Sequence, residues 1–227
     1  MKLAIIVPAY NEAATIAEVV TRLRALPIEK EIIVVDDAST DGTADALAGL
    51  RGPDLVVLRH ERNQGKGAAI RTGIAAVTAP AVVIQDADLE YDPSDLLRLL
   101  EPVKNNRADA VYGSRFLGVL EGMRFMNYLA NKILAWAATL LYGQRITDEA
   151  TCYKLFRSEL LKSLPLVCRR FEFCPEVTAR VRRRGIRILE LPIDYRGRTV
   201  AAGKKIRMSD MLEALGTLLR YRFSSPA

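Results

Sequence analysis

A chain of 227 residues that is half hydrophobic can bury one large core, and a single α/β domain is the expectation for it. Its three cysteines, Cys152, Cys168 and Cys174, are odd in number and widely spaced, which argues against a disulfide framework or zinc site and for buried thiols in a reducing cytoplasm. The net charge of +6 hides a split: residues 151–227 carry 17 Lys and Arg against 7 Asp and Glu, while the first 150 carry 16 against 20, so an acidic, cation-binding half precedes a basic half suited to phosphates or lipid headgroups, or simply to solvent.

The first element, "KLAIIVP", reads as a strand; it is too short for a secretory signal and ends in proline. "EIIVVD", "DLVVLR", "AVVIQD" and "DAVYGS" follow as four more strands, with helix patterns over 12–25, 41–50, 66–77 and 93–103 between them. Strands rich in Val and Ile on both faces, alternating with helices, predict a parallel sheet covered by helices. Ligands in such sheets sit beyond the carboxyl ends of the strands. The residues there are Pro8-Ala9-Tyr10-Asn11-Glu12, Asp36-Asp37, Asp86-Ala87-Asp88 and Gly113-Ser114-Arg115.

Within "VVIQDADLEYDP", Asp92 and Pro93 are explained as the cap and first residue of a helix, but Asp86 and Asp88 are not. Two carboxylates two residues apart at a strand end repel each other unless a hard cation such as Mg²⁺ lies between them and a substrate phosphate. In "NQGKGAAIRTG", two glycines flank Lys66 at a helix start; the reading is either an anion held by Lys66 and the helix amides or a glycine-rich turn. The spacing fits neither a Walker A loop nor a dinucleotide fingerprint, since Ile70 stands where the third glycine belongs.

Past Arg115 a long amphipathic helix is expected over 126–141, with Met126, Leu129, Ile133, Ala137 and Leu140 on one face, packed on the core or lying on a bilayer. No apolar run approaches the ~20 residues of a membrane span. "ATCYKLFR" reads as a strand, "SELLKSL" as a helix capped by Ser158, "FCPEVTARVRRRG" as a helix closed by Gly185, and "IRILELPIDY" as a last strand. A basic loop, "RGRTVAAGKKIRM", and an amphipathic helix over 209–222 end the chain. The only histidine, His60, ends a strand and is given no role.

Taken together, "IIVPAYNEAATI", "IIVVDDASTDGT", "RNQGKGAAIRTG", "VVIQDADLEYDP" and "VYGSR", in that order, resemble family-2 glycosyltransferases, most of all the dolichol- and undecaprenyl-phosphate sugar synthase branch. The resemblance implies a single GT-A-like domain, with a mostly parallel twisted sheet, C-terminal amphipathic helices, a nucleotide-sugar half over 1–115 and an acceptor half over 116–227. It implies inverting transfer of a hexose from a UDP- or GDP-linked donor to a polyprenyl phosphate, with Mg²⁺ or Mn²⁺, for the cell envelope. By the same resemblance Pro8, Tyr10, Asn11 and Glu12 border the nucleotide, Asp37 meets the base and Lys66 lies beside the phosphates. Asp86, Ala87 and Asp88 form the Asp-x-Asp motif, with the metal on Asp86 and Asp88. Arg115 sits near donor or acceptor, Asp148 near the reacting sugar as a candidate base, and Arg198, Lys204 and Lys205 in a loop holding phosphates.

The chain departs from these relatives at Glu90, where dolichol-phosphate mannose synthases carry Gln, and it has no membrane span before Ala227. Peripheral attachment at the inner face of the cytoplasmic membrane is the expectation. The alternatives are a hydroxyl acceptor on a glycan or glycolipid and, from another class, a sugar nucleotidyltransferase. Nucleic acid is not an expected partner, because "RVRRRG" and "GKKIRM" contain no aromatics for base stacking.

Overall fold

The computed structural model describes residues 1–197 and 208–224. The first half of the chain forms β1 (Leu3–Ala9), α1 (Ile16–Arg24), β2 (Lys30–Asp36), α2 (Thr43–Ala48), β3 (Leu55–Arg59), α3 (Lys66–Ala76), β4 (Ala81–Ile84), α4 (Asp95–Lys104) and β5 (Ala110–Ser114). The second forms β6 (Leu120–Glu121), α5 (Phe125–Tyr142), β7 (Lys154–Arg157), α6 (Ser158–Ser163), α7 (Phe173–Arg183), β8 (Ile188–Pro192), β9 (Tyr195–Arg196) and α8 (Met208–Phe223). One seven-stranded sheet runs in the order β3-β2-β1-β4-β7-β5-β8, and β6 pairs with β9 in a small ribbon.

Every residue of β1 and β4 is buried, which is why these strands show no polar alternation: helices cover both sheet faces. α1 buries Ile16, Val19, Val20 and Leu23, one helical stripe, against the sheet. It begins four residues later than the 12–25 pattern predicts. Thr15 and Ile16 both donate to the Glu12 carbonyl, so Glu12 stays in a turn at the strand end. α4 likewise starts at Asp95 rather than Pro93, because Asp92 Oδ1 accepts from the Ser94 amide (2.9 Å) in a local turn. Ser158 does not cap α6 either; its hydroxyl donates to the Ala79 carbonyl at 2.6 Å, tying α6 to the start of β4.

The sheet is parallel except at β7, which lies antiparallel between β4 and β5. That reversal positions the site. Residues 148–153 enter β7 from the edge where β4 and β5 end, so the segment before Lys154 joins the loops at their carboxyl ends.

α5 packs Leu134, Ala135, Ala138 and Tyr142 inward. The stripe singled out in the sequence faces out instead: Met126, Leu129, Ile133 and Leu140 are exposed, as are Phe125 and Trp136. α8 lies against α5 and α7, with Tyr142 donating to the Leu218 carbonyl (2.7 Å) and Arg180 over the Tyr221 ring. Among the described residues no helix is long and apolar enough to cross a membrane.

Candidate active site

β1, β2 and β4 are parallel neighbours, so their carboxyl ends open on one edge. A cleft of about 380 Å³ lies there. Pro8, Tyr10, Glu12, Asp37, Lys66, Asp86, Ala87 and Asp88, all singled out in the sequence, line it. Asn11 does not. It takes a left-handed backbone (φ 55°), its Oδ1 accepts from the Thr40 amide (2.8 Å), and its own amide donates to Ser39 Oγ (3.0 Å). Asn tolerates that conformation, and here it ties the loop after β1 to the loop after β2. Arg198, Lys204 and Lys205 lie outside the described residues.

Asp37 is the hub of the next loop. Its Oδ1 faces His60 Nδ1 (2.6 Å) and accepts the Gln64 amide (2.9 Å), while Oδ2 accepts the Gly65 amide (2.7 Å). His60, given no role from sequence, is a buried partner of a cleft residue. The glycines around Lys66 have a steric reason. Gly65 has φ +95°, and a Cβ on it would lie 2.4 Å from the Arg169 carbonyl oxygen; one on Gly67 would lie 2.9 Å from that of Arg170. They let residues 168–170 press against the start of α3, where the Ala68 amide donates to Arg169. The amides of Gln64, Gly65 and Ala68 are already taken, and the Lys66 side chain lines the cleft.

Lys66 Nζ stands 2.5 Å from Asp86 Oδ1, so that buried oxygen is ion-paired but has no aligned hydrogen-bond donor among the described residues. Desolvation works to lower the Lys66 pKa, but Asp86 outweighs it and holds the ammonium well above its usual value. Asp88 is buried in the same cleft, and its Oδ1 accepts the Glu90 amide (3.1 Å). The Thr15 hydroxyl donates to the Ala87 carbonyl (2.8 Å) and fixes the turn between the acids. Among the described residues no three His, Cys, Asp or Glu side chains are grouped to hold a metal unaided. Asp86 and Asp88 fit a hard divalent cation that takes its other oxygens from a bound ligand.

A second cavity of about 360 Å³ adjoins the cleft, and Lys66, Asp86, Glu90, Arg170, Phe171 and Asp210 line both. Its walls are apolar where α5, α7 and α8 meet, at Met123, Met126, Leu134, Phe173 and Ala214, with Arg115 and Arg124 among them. Arg115 is buried and bound to Asp148 three times: Nε to Oδ2 (2.7 Å), Nη2 to Oδ1 (2.7 Å) and its backbone amide to Oδ2 (3.0 Å). Burial acts to lower the Arg115 pKa, and Asp148 overrides it. Asp148 itself is fully buried and lines neither cavity. Next to it, Glu149 lines the second cavity with Oε2 unpaired among the described residues; burial lifts its carboxyl to about 7 against the nearby Lys154.

Arg170, Phe171, Asp210, Asn63 and Arg124 escaped the sequence reading. Arg170 and Phe171 carried one signal, a basic and aromatic step just before α7, with no partner visible for it.

This sheet with its acid-lined edge is that of a GT-A glycosyltransferase. It superposes on glucosyl-3-phosphoglycerate synthase from Mycobacterium tuberculosis, solved with Mn²⁺, uridine diphosphate and phosphoglyceric acid. The TM-score is 0.75 over all of this chain and 80% of that one, at 22% identity, a likeness of fold. The family model of glycosyl transferase family 2 matches residues 4–164, and the chain belongs to that family. It is 32% identical to undecaprenyl-phosphate mannosyltransferase of Micrococcus luteus over 90% of this chain and 87% of that protein. It is 29% identical to UDP-N-acetylglucosamine–dolichyl-phosphate N-acetylglucosaminyltransferase of Methanococcus voltae over 95% and 97%.

Proposed function

We propose that the chain transfers a hexose, with inversion, from a nucleotide sugar to a polyprenyl phosphate. One observation carries the reading: a polar cleft and an apolar, arginine-bearing cavity meet across Lys66, Asp86 and Glu90. A donor diphosphate suits the first and a lipid phosphate the second. The named activities of the relatives from Micrococcus luteus and Methanococcus voltae support a lipid-phosphate acceptor.

In the reaction a phosphate oxygen of the acceptor bonds to the anomeric carbon while the bond to the donor diphosphate breaks on the opposite face, so the configuration inverts. An ionised phosphate is the nucleophile as it stands and gives up no proton. That agrees with Asp148, whose two oxygens are taken by Arg115, acting as a positioning residue rather than a base. Arg115, so fixed, orients the acceptor phosphate, and Lys66 faces the charge that develops on the leaving diphosphate. Asp86 and Asp88 would hold Mg²⁺ or Mn²⁺, which would supply further positive charge to the leaving group. Pro8, Tyr10, Glu12 and Asp37 border the nucleotide, and Arg198, Lys204 and Lys205 hold phosphate groups.

A nucleotide-sugar donor and a lipid acceptor support peripheral attachment at the inner face of the cytoplasmic membrane. The exposed row Phe125, Met126, Leu129, Trp136 and Leu140 on α5, of which Met126 also lines the acceptor cavity, is the surface for that contact. The test is a panel of UDP- and GDP-sugars with undecaprenyl phosphate, following nucleoside diphosphate release with and without Mn²⁺. Pyrophosphate release from a nucleoside triphosphate and a sugar phosphate would instead make it a nucleotidyltransferase.

A further inference from the structure

The Asp37 carboxylate is almost wholly buried, yet Asp37 lines the cleft. Three donors converge on it, the amides of Gln64 and Gly65 and the His60 ring, while Asn63 Nδ2 donates to the Asp37 carbonyl (3.2 Å). One side chain therefore fixes the segment that delivers Lys66 to Asp86. The His60 ring also has its second nitrogen engaged: Nε2 lies 2.9 Å from Thr72 Oγ1 on α3. A proton on Nδ1 lets the ring donate to Asp37, while Nε2 pairs with the Thr72 hydroxyl, which can donate or accept. His60 thus spans from the loop after β2 to the helix whose first residue is Lys66.

We propose that His60 is a positioning residue of the nucleotide-sugar site, acting through Asp37; this rests on the donor reading of the cleft given above. Without the ring, the carboxylate keeps the Gln64 amide on Oδ1 and the Gly65 amide on Oδ2 but loses its tie to α3, so less resists its turning about the Cβ–Cγ bond. Turning it misaligns the Gln64 and Gly65 amides. The backbone there cannot absorb a shift easily, because Gly65 already sits at φ +95° against the Arg169 carbonyl. The consequence falls on donor binding and the placement of Lys66, not on a bond made or broken by His60.

Asn and Gln separate this role from simple space filling. The amide nitrogen of Asn falls near the Nδ1 position and reaches Asp37, whereas that of Gln falls near Nε2 and reaches Thr72. Binding of UDP and of GDP, each with Mn²⁺, is measured by calorimetry on the full chain. His60→Ala and His60→Gln should weaken the nucleotide that the wild type binds by about tenfold or more. His60→Asn should stay within about threefold, and in turnover His60→Ala should raise donor KM and lower kcat as far as Lys66 is misplaced, with His60→Asn restoring both. In an Asp37→Ala background, His60→Ala should add less than about twofold, as expected of groups acting in series. Should His60→Ala fail to fold, Thr72→Val releases the other end of the ring and should weaken binding about threefold. Equal losses for Asn and Gln, unchanged binding in all variants, or a full tenfold effect without Asp37 would overturn the inference. A wild type that binds neither nucleotide overturns the donor reading and this inference with it, whereas wild-type binding with indifferent His60 variants overturns this inference alone.

Discussion

Asp148→Asn removes the one carboxylate that, among the described residues, is bonded to the buried Arg115 guanidinium, and puts an amide nitrogen opposite its N–H groups. Breaking one side of a buried pair costs about 3–5 kcal/mol, a large share of the ~5–15 kcal/mol that holds a domain together. The loop itself should survive, since the Thr147 and Asp148 amides are held by the Glu190 carboxylate at 2.8–3.1 Å. Urea unfolding should therefore show a loss of that size. Adding Arg115→Met should recover at least half of it, because no charge is then left buried alone. Turnover with a lipid phosphate should fall only as far as Arg115 is misplaced, with no change in the shape of the pH–rate profile. The reasoning fails if Asp148→Asn keeps its stability within about 1 kcal/mol but loses ~10²–10⁴ in kcat together with the acid limb of the profile. That pattern belongs to a general base and a hydroxyl acceptor.

Glu149 gives a pH test of the core. Its folded pKa of about 7 lies above the ordinary 4.5, so the folded state holds the extra proton and stability falls as pH rises from about 4.5 to 7. Glu149→Gln should leave stability unchanged at pH 4 and raise it by up to about 3 kcal/mol at pH 8, measured by urea unfolding. Asp88→Ala should abolish transfer while costing less than about 1 kcal/mol of stability, since it removes a repelling neighbour of Asp86; excess chelator should reproduce it in the wild type, and full activity in chelator would contradict it. Trp136 is the sole tryptophan and is two-thirds exposed, so anionic vesicles should shift its emission to the blue. Lipid-dependent turnover with an unmoved spectrum would rule out the α5 face as the membrane contact.

Much of this was legible in the sequence because it is local. The strands of the first half announce themselves as unbroken Val and Ile runs, and the acids and amides at their ends fall on one edge as a parallel sheet requires. What stayed hidden depends on pairing across the chain. Nothing in "ATCYKLFR" says that it inserts antiparallel between β4 and β5, and that insertion is what brings Asp148 to Arg115, 33 residues away. His60 looked idle because its partners, Asp37 and Thr72, lie 23 and 12 residues off on different elements. On α5 the period was legible, but whether the stripe met the core or faced out was not. A helix with apolar residues on two faces gives no hint of which one the core takes, and small side chains such as Ala135 and Ala138 pack closest.

The central claim is a sugar joined to a lipid phosphate, and the product itself decides it most directly. Reaction with a nucleotide sugar, Mn²⁺ and either undecaprenyl phosphate or undecaprenol, followed by mass spectrometry of the extracted lipid, should show one added hexose on the phosphate only, its anomeric configuration opposite to the donor's. A hexose on the undecaprenol, or on neither lipid while a glycan hydroxyl is modified, would contradict the account.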